Sequence, residues 1–132
     1  MAADTSERRP FVLIDHGGGR LDGAVPGFDR KRLARLRQGD PPADRELDLH
    51  YLRREEARRR LRAELREALA AGERCLLVIH GRGARSGEAG AVLRDALPDW
   101  LAEEPHGAAV LAFASASRHA GGASYVLLRR RR

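Results

Sequence analysis

The chain has 132 residues, with 25 basic and 19 acidic side chains and a formal charge of +6, a length that fits one domain with a modest core and excludes two comfortable ones. The basic excess favours polyanionic partners, and the lone cysteine, Cys75, excludes an intrachain disulfide and fits a reducing compartment. No apolar run approaches the roughly 20 residues that span a bilayer, and Asp4 and Glu7 ahead of Arg8-Arg9-Pro10 do not follow signal-peptide order, so the expectation is a cytoplasmic protein without membrane partners.

Lys31 is the single lysine, so nearly every cation is a guanidinium whose fork suits phosphate and base edges. A GC-rich genome also replaces Lys with Arg, and accounts for the choice of arginine better than for the net charge.

Residues 1–10 are polar and expected to be mobile. Phe11 to Ile14 either adds an edge strand or packs as an extended arm. Gly17-Gly18-Gly19, Gly23, Pro26 and Gly27 punctuate the next stretch into turns, and Arg30 to Arg37 predicts a short basic helix stopped by Gly39. Pro41-Pro42 marks a linker, so residues 1–44 form an N-terminal arm and 45–132 the compact domain. Glu46 to His50 has strand character. Arg53 to Ala71 predicts a helix with Ala57, Leu61, Leu65, Ala68 and Leu69 on one face and Gly72 as its stop. Its outer face carries Arg58, Arg59, Arg62 and Arg66, while Glu55 and Glu56 suit the first-turn dipole and stand four residues before Arg59 and Arg60.

A second strand, Arg74 to Ile79, leads through a glycine loop to a helix over Glu88 to Leu101 that Pro98 is expected to kink. Ala108 to Ala114 and Ser124 to Leu128 predict two final strands joined by about nine residues, too long for a tight hairpin, and Arg129 to Arg132 form a charged tail. The order β-α-β-α-β-β favours right-handed crossovers and a small sheet with helices packed against it, with the pairing of the two final strands open.

Two motifs carry chemistry. Period-two geometry puts Asp48 and His50 on one strand face, where the carboxylate can orient the imidazole for acid/base work; the bland alternative is a strand-end histidine tied to a turn. His80-Gly81-Arg82-Gly83 follows an apolar strand and precedes a helix, so its glycines and Arg82 with Arg85 suit a backbone phosphate. The loop lacks the Gly-Lys-Ser/Thr ending of a nucleoside-triphosphate site. Arg118 and His119 in the last loop are further candidates for phosphate contact, against the alternative of a flexible Ser/His/Gly loop. His16-Gly17-Gly18-Gly19 repeats the second motif superficially and is taken as a turn. Trp100 and Phe113 fall at core positions, and no Cys/His cluster has zinc-ligand spacing.

Leu-Asp-Leu-His before an Ala/Arg-rich helix, Val-Ile-His-Gly-Arg-Gly, and Val-Leu-Ala-Phe with a His-Ala-Gly-Gly loop and a closing Tyr-Val-Leu-Leu together resemble the Smr domain, the small MutS-related module, in its stand-alone bacterial form. The likeness runs from Arg45 to about Arg129, and Pro26-Gly27-Phe28 to Gly39 resembles the leader of such proteins. It departs at Tyr51, where the family commonly has glycine, and at Gly121-Gly122-Ala123-Ser124, where Gly-Gly-x-Gly-Ala is usual.

The resemblance implies an α/β two-layer sandwich on a mixed four-stranded sheet, similar to the C-terminal domain of translation initiation factor three. It also implies an endonuclease on RNA or DNA, with ribosome rescue or DNA repair as context and nucleic acid, and in some members the ribosome, as partner. Carried onto this chain, the first motif falls on Asp48 and His50 and the second on His80, Gly81, Arg82 and Gly83, which gives Asp48, His50 and His80 as the catalytic set; Arg85, Arg118 and His119, read from the loops themselves, join Gly81, Arg82 and Gly83 as candidates on the substrate phosphate. Two histidines sharing acid and base duties would cut RNA through its ribose hydroxyl with no cofactor; DNA lacks that hydroxyl and would need water activated with a divalent ion such as Mg or Mn. The rival reading is a module that binds nucleic acid or a ribosome without cutting. Nothing in the chain demands more than a monomer.

Overall fold

The computed structural model describes residues 10–81 and 88–130. Within them one sheet contains β1 (Val12–Asp15), β2 (Leu21–Ala24), β3 (Arg45–Asp48), β4 (Cys75–Ile79), β5 (Val110–Ser115) and β6 (Ala123–Leu128), in the spatial order β1-β2-β5-β6-β4-β3. The β3–β4 pair is parallel and the other neighbours are antiparallel. The helix α2 (Arg54–Ala70) supplies the crossover between the parallel strands, as such a connection requires. The α/β class and mixed sheet are those expected, with six strands in place of four.

The two additional strands come from the segment read as an arm. β1 takes the edge position that Phe11 to Ile14 left open, and β2 joins it to β5. Gly23 disguised β2 as a turn. A Cβ there would lie 2.4 Å from the Phe113 ring, so this glycine lets two strands and an aromatic side chain approach closely. The polar residues 1–9 lie outside the described residues.

Leu76 and Val78 of β4 turn toward α2 and α3 (Glu88–Leu101), where they join Leu47, Leu61, Leu65 and Trp100 in the main core. Leu61 and Leu65 have no exposed surface, and stripes at this spacing derive most of a helix's stability from packing. Cys75 faces the other way, into a smaller cluster with Ala112, Ala114 and Leu127, which Leu33 and Leu36 of α1 (Arg30–Arg37) cover. α1 thus adds a helix to the second face of the expected two-layer arrangement. Asp29 caps it, its side chain accepting from the Lys31 N–H at 2.8 Å.

The charges of α2 are partly absorbed by structure. Arg58 reaches Glu103 at 2.8 Å and Glu55 at 3.7 Å, and Arg60 reaches Glu64 at 3.5 Å, a different pairing from the four-residue spacing of Glu55 with Arg59 and Glu56 with Arg60. Arg45 of β3 gathers Glu73 at 2.5 Å, Glu64 at 3.0 Å and Glu67 at 3.3 Å, and these partners push its pKa up against the cost of burial. Arg59, Arg62 and Arg66 make no ion pair among the described residues. No helix among these residues is long and apolar enough to cross a membrane.

Candidate nucleic-acid site

β3 and β4 are parallel and end together, Asp48 opposite Ile79, so the residues following each strand emerge at one edge. Leu47 and Leu49 are buried in the main core; the alternation that sends them inward turns Asp48 and His50 to the opposite side. Leu49 N–H still donates to the Ile79 carbonyl at 2.8 Å, which holds the chain in register up to His50.

There Asp48 Oδ1 accepts from the His50 backbone N–H at 3.1 Å and from His50 Nδ1. The carboxylate therefore fixes the tautomer and ring orientation and leaves Nε2 without a partner among the described residues. Burial pushes the Asp48 carboxyl up, but the hydrogen bonds and charge of His50 more than offset this and hold it below the usual carboxylate range. The His50 side chain is 27 % exposed, and Tyr51 lies beside it with ring centroids 3.6 Å apart.

His80 is differently placed. It is 2 % exposed, with Nδ1 2.9 Å from the Gly81 carbonyl and Nε2 3.1 Å from Ser124 Oγ. A carbonyl only accepts, so Nδ1 carries the proton and Nε2 accepts from the hydroxyl, an assignment made from the network. Burial lowers the His80 pKa, the Gly81 carbonyl opposes that shift, and the charge of Arg94 adds to it. Both ring nitrogens are thus engaged inside the protein, whereas the sequence suggested a second free titrating group.

The last loop is tied to this segment. His80 and Gly81 N–H both donate to the Gly122 carbonyl, at 3.0 and 2.9 Å, and Gly122 N–H donates to the His119 carbonyl at 2.8 Å. Gly81, at φ 89°, and Gly121, at φ 87°, occupy the left-handed region that favours glycine. Arg118 is exposed and His119 half-buried in a short 3-10 turn, Ser117–His119. Asp48, His50, His80, Gly81, Arg118 and His119 therefore gather at one edge of the sheet, whereas Arg82, Gly83 and Arg85 lie outside the described residues. The arrangement offers one oriented imidazole with a free nitrogen beside a cationic loop.

The sequence profile of the Smr domain matches residues 47–129. This chain belongs to the Smr domain family. The ribosome rescue factor SmrB of Yersinia enterocolitica is 35 % identical over 103 residues, covering 78 % of this chain and 53 % of the relative. Its counterpart in Aliivibrio salmonicida is 31 % identical over 118 residues, 89 % of this chain and 62 % of the relative. The chain spans about half the length of the first of these relatives. The crystal structure of YdaL, a stand-alone small MutS-related protein from Escherichia coli, superposes with a TM-score of 0.68 at 26 % identity, covering 98 % of this chain and 93 % of that one. With 98 % of this chain covered, the superposition takes in α1 and the β1–β2 pair as well as the Smr domain itself.

One feature at this edge escaped the sequence. Asp22 of β2 has no exposed surface, yet it sits in a Leu-Asp-Gly stretch that has the composition of a turn. Asp22, Gly23 and Ala24 are all buried in succession, so no period-two signal marks the aspartate in the sequence.

Proposed function

We propose that this Smr-domain chain is an endonuclease acting on RNA, with His50 as the general base and Asp48 as the residue that orients it. The supporting observation is the division of labour within the imidazole: Nδ1 is held by the carboxylate, and Nε2, at a partly exposed edge, has no partner among the described residues. In the proposed step Nε2 takes the proton of a ribose 2′-hydroxyl, the 2′-oxygen bonds to phosphorus, and the bond to the 5′-oxygen breaks. The departing oxygen takes a proton from water, leaving a 2′,3′-cyclic phosphate and a 5′-hydroxyl. Arg118 and His119, with the sequence candidates Arg82, Gly83 and Arg85, hold the phosphate, while the Gly81 N–H is spent on the Gly122 carbonyl. His80, buried and bonded on both nitrogens, acts as a positioning residue that fixes Gly81 against Ser124. The reaction belongs in the cytoplasm, with ribosome-bound RNA as the substrate suggested by the SmrB relatives.

A divalent ion would serve the DNA alternative, but Asp48 and His50 supply two ligands whose facing atoms are already paired with one another, and among the described residues no three metal-binding side chains converge. Among the described residues the donor set does not fit such an ion.

The test is cleavage of end-labelled single-stranded RNA and of supercoiled plasmid by the purified chain, with and without chelator. Chelator-resistant RNA cutting with a cyclic-phosphate end is expected, falling by about 10²- to 10⁴-fold in His50→Ala and less in Asp48→Asn, with RNA binding retained in both. Equal rates for wild type and His50→Ala would overturn the assignment. The burial of His80, which leaves one fewer free imidazole at the edge, favours a second reading, a module that binds RNA without cutting it. Tight binding with no cleavage in any variant would select that reading.

A further inference from the structure

A second constellation lies at the same edge, outside the Asp48–His50 pair. The fully buried carboxylate of Asp22 accepts three hydrogen bonds: from the Ser115 backbone N–H at 2.9 Å, from Arg37 Nε at 2.6 Å and from His16 Nε2 at 2.7 Å. A buried carboxylate is tolerable only when paired and hydrogen-bonded, and here one guanidinium balances it. Each donor comes from a different element: the β1–β2 turn, α1 and β5. A cavity of about 250 Å³ opens beside them, lined by His16, Arg20, Arg37, Ser115 and Ser117.

The charge balance of that cavity decides what it can hold. Arg37 spends Nε on Asp22, and its terminal amino groups have no partner among the described residues; the Arg20 side chain has none either. With Asp22 neutralised by Arg37, Arg20 is surplus positive charge. Ser115 and Ser117 add hydroxyls, and Gln38 donates to Ser117 Oγ at 3.2 Å, leaving the Ser117 proton for a ligand. Unspent guanidinium nitrogens with hydroxyl donors around a hollow match a tetrahedral oxyanion.

The position ties it to the nucleic-acid edge. A Cβ on Gly121 would lie 3.1 Å from the Gly18 carbonyl oxygen, so the turn carrying His16 rests on the loop that also holds His119 and binds His80 and Gly81. We propose that the His16–Arg20–Arg37 cavity, built on buried Asp22, binds a phosphoryl group of the nucleic-acid strand a few nucleotides along from the phosphate at the Asp48–His50 site, which lies four strand positions away across the sheet. This rests on the functional reading above and extends it: the strand is gripped at two places, and the second grip is contributed by residues 16–37, ahead of the segment matched by the Smr profile.

Titration of the isotopically labelled full chain with a single-stranded oligoribonucleotide, and separately with inorganic phosphate, followed by NMR, tests this beside binding to a fluorescent form of the same RNA. Arg20→Glu is the chosen variant because Arg20 is exposed and supports no buried group, whereas loss of Arg37 would strand Asp22. The exposed Arg66→Glu on α2 serves as a control for net charge. The expected result is movement of the His16 and Ser117 resonances with both ligands, about tenfold or greater weakening of RNA binding in Arg20→Glu, and about threefold or less in Arg66→Glu. RNA binding that leaves those resonances still and weakens equally in the two variants overturns the pocket and leaves the functional reading standing. Resonances that move with phosphate while the RNA does not bind overturn the assignment to nucleic acid and the functional reading with it.

Discussion

Two histidines one strand apart have opposite environments, and the difference is measurable. His80 is buried with its pKa lowered by desolvation, in part offset by the Gly81 carbonyl. Below pH 6.5, its ordinary value, the unfolded chain takes up a proton that the folded chain refuses until lower pH. The stability from burying a neutral ring is therefore complete above 6.5 and is lost as the pH falls toward the folded value. Melting temperatures between pH 7.5 and 5 are expected to fall more steeply for wild type than for His80→Gln, which has no proton to gain; parallel curves would contradict the burial argument. Asp48 acts with the same sign in a lower window, its contribution present above 3.8 and lost as the pH drops through its depressed folded value. The motif spacing made Asp48, His50 and His80 legible as a group, because strand alternation and two parallel strand ends dictate their neighbourhood. The burial of His80 was not legible, because it depends on Ser124 arriving from β6, 44 residues away. Asp22 was hidden for the same reason: its donors come from three elements that only the folded sheet assembles.

At the level of elements, helices with a full apolar stripe declared themselves, whereas β1 was legible only as a strand or an arm and β2 was not legible at all. Ala57, Leu61, Leu65 and Ala68, expected on the inner face of α2, are all fully buried, since a 3.6-residue period over 17 residues leaves few other solutions. β1 and β2 have four residues each, too few for alternation to stand out among glycines. The antiparallel pairing of β5 with β6 was left open by loop length and is set by the 3-10 turn between them. Two substitutions separate stripe packing from close approach. Leu61→Ala removes side-chain volume at a site with no exposed surface and is expected to cost about 2–5 kcal/mol. Gly23→Ala adds only a methyl, but places it against the Phe113 ring, and is expected to cost about 1–3 kcal/mol by overpacking. Denaturant unfolding of both variants measures this, and a neutral Gly23→Ala would mean that β2 does not need the close approach to Phe113.

Across the whole molecule the topology polarises charge toward one edge. α2 follows β3 and α3 follows β4, so both helices start at the edge where Asp48, His50 and His80 lie and direct the positive ends of their dipoles there. Glu55 and Glu56 in the first turn of α2 offset part of that field, whereas Arg20 and Arg118 belong to the same edge and make no ion pair among the described residues. Arg66 lies in the final turns of α2, toward the opposite edge. A formal charge of +6 spread evenly would give every arginine a similar weight in holding a polyanion; a polarised charge would not. For single-stranded RNA, each phosphate neutralised contributes about 0.7 to the slope of log affinity against log salt. Arg118→Ala is therefore expected to reduce that slope by about 0.7 to 1, and Arg66→Ala to leave it unchanged. The measurement is RNA binding from low to moderate salt for wild type and both variants. Equal slopes for the two variants would show that the chain attracts RNA through net charge alone, and that the edge built by β3, β4 and the last loop is not where the strand lies.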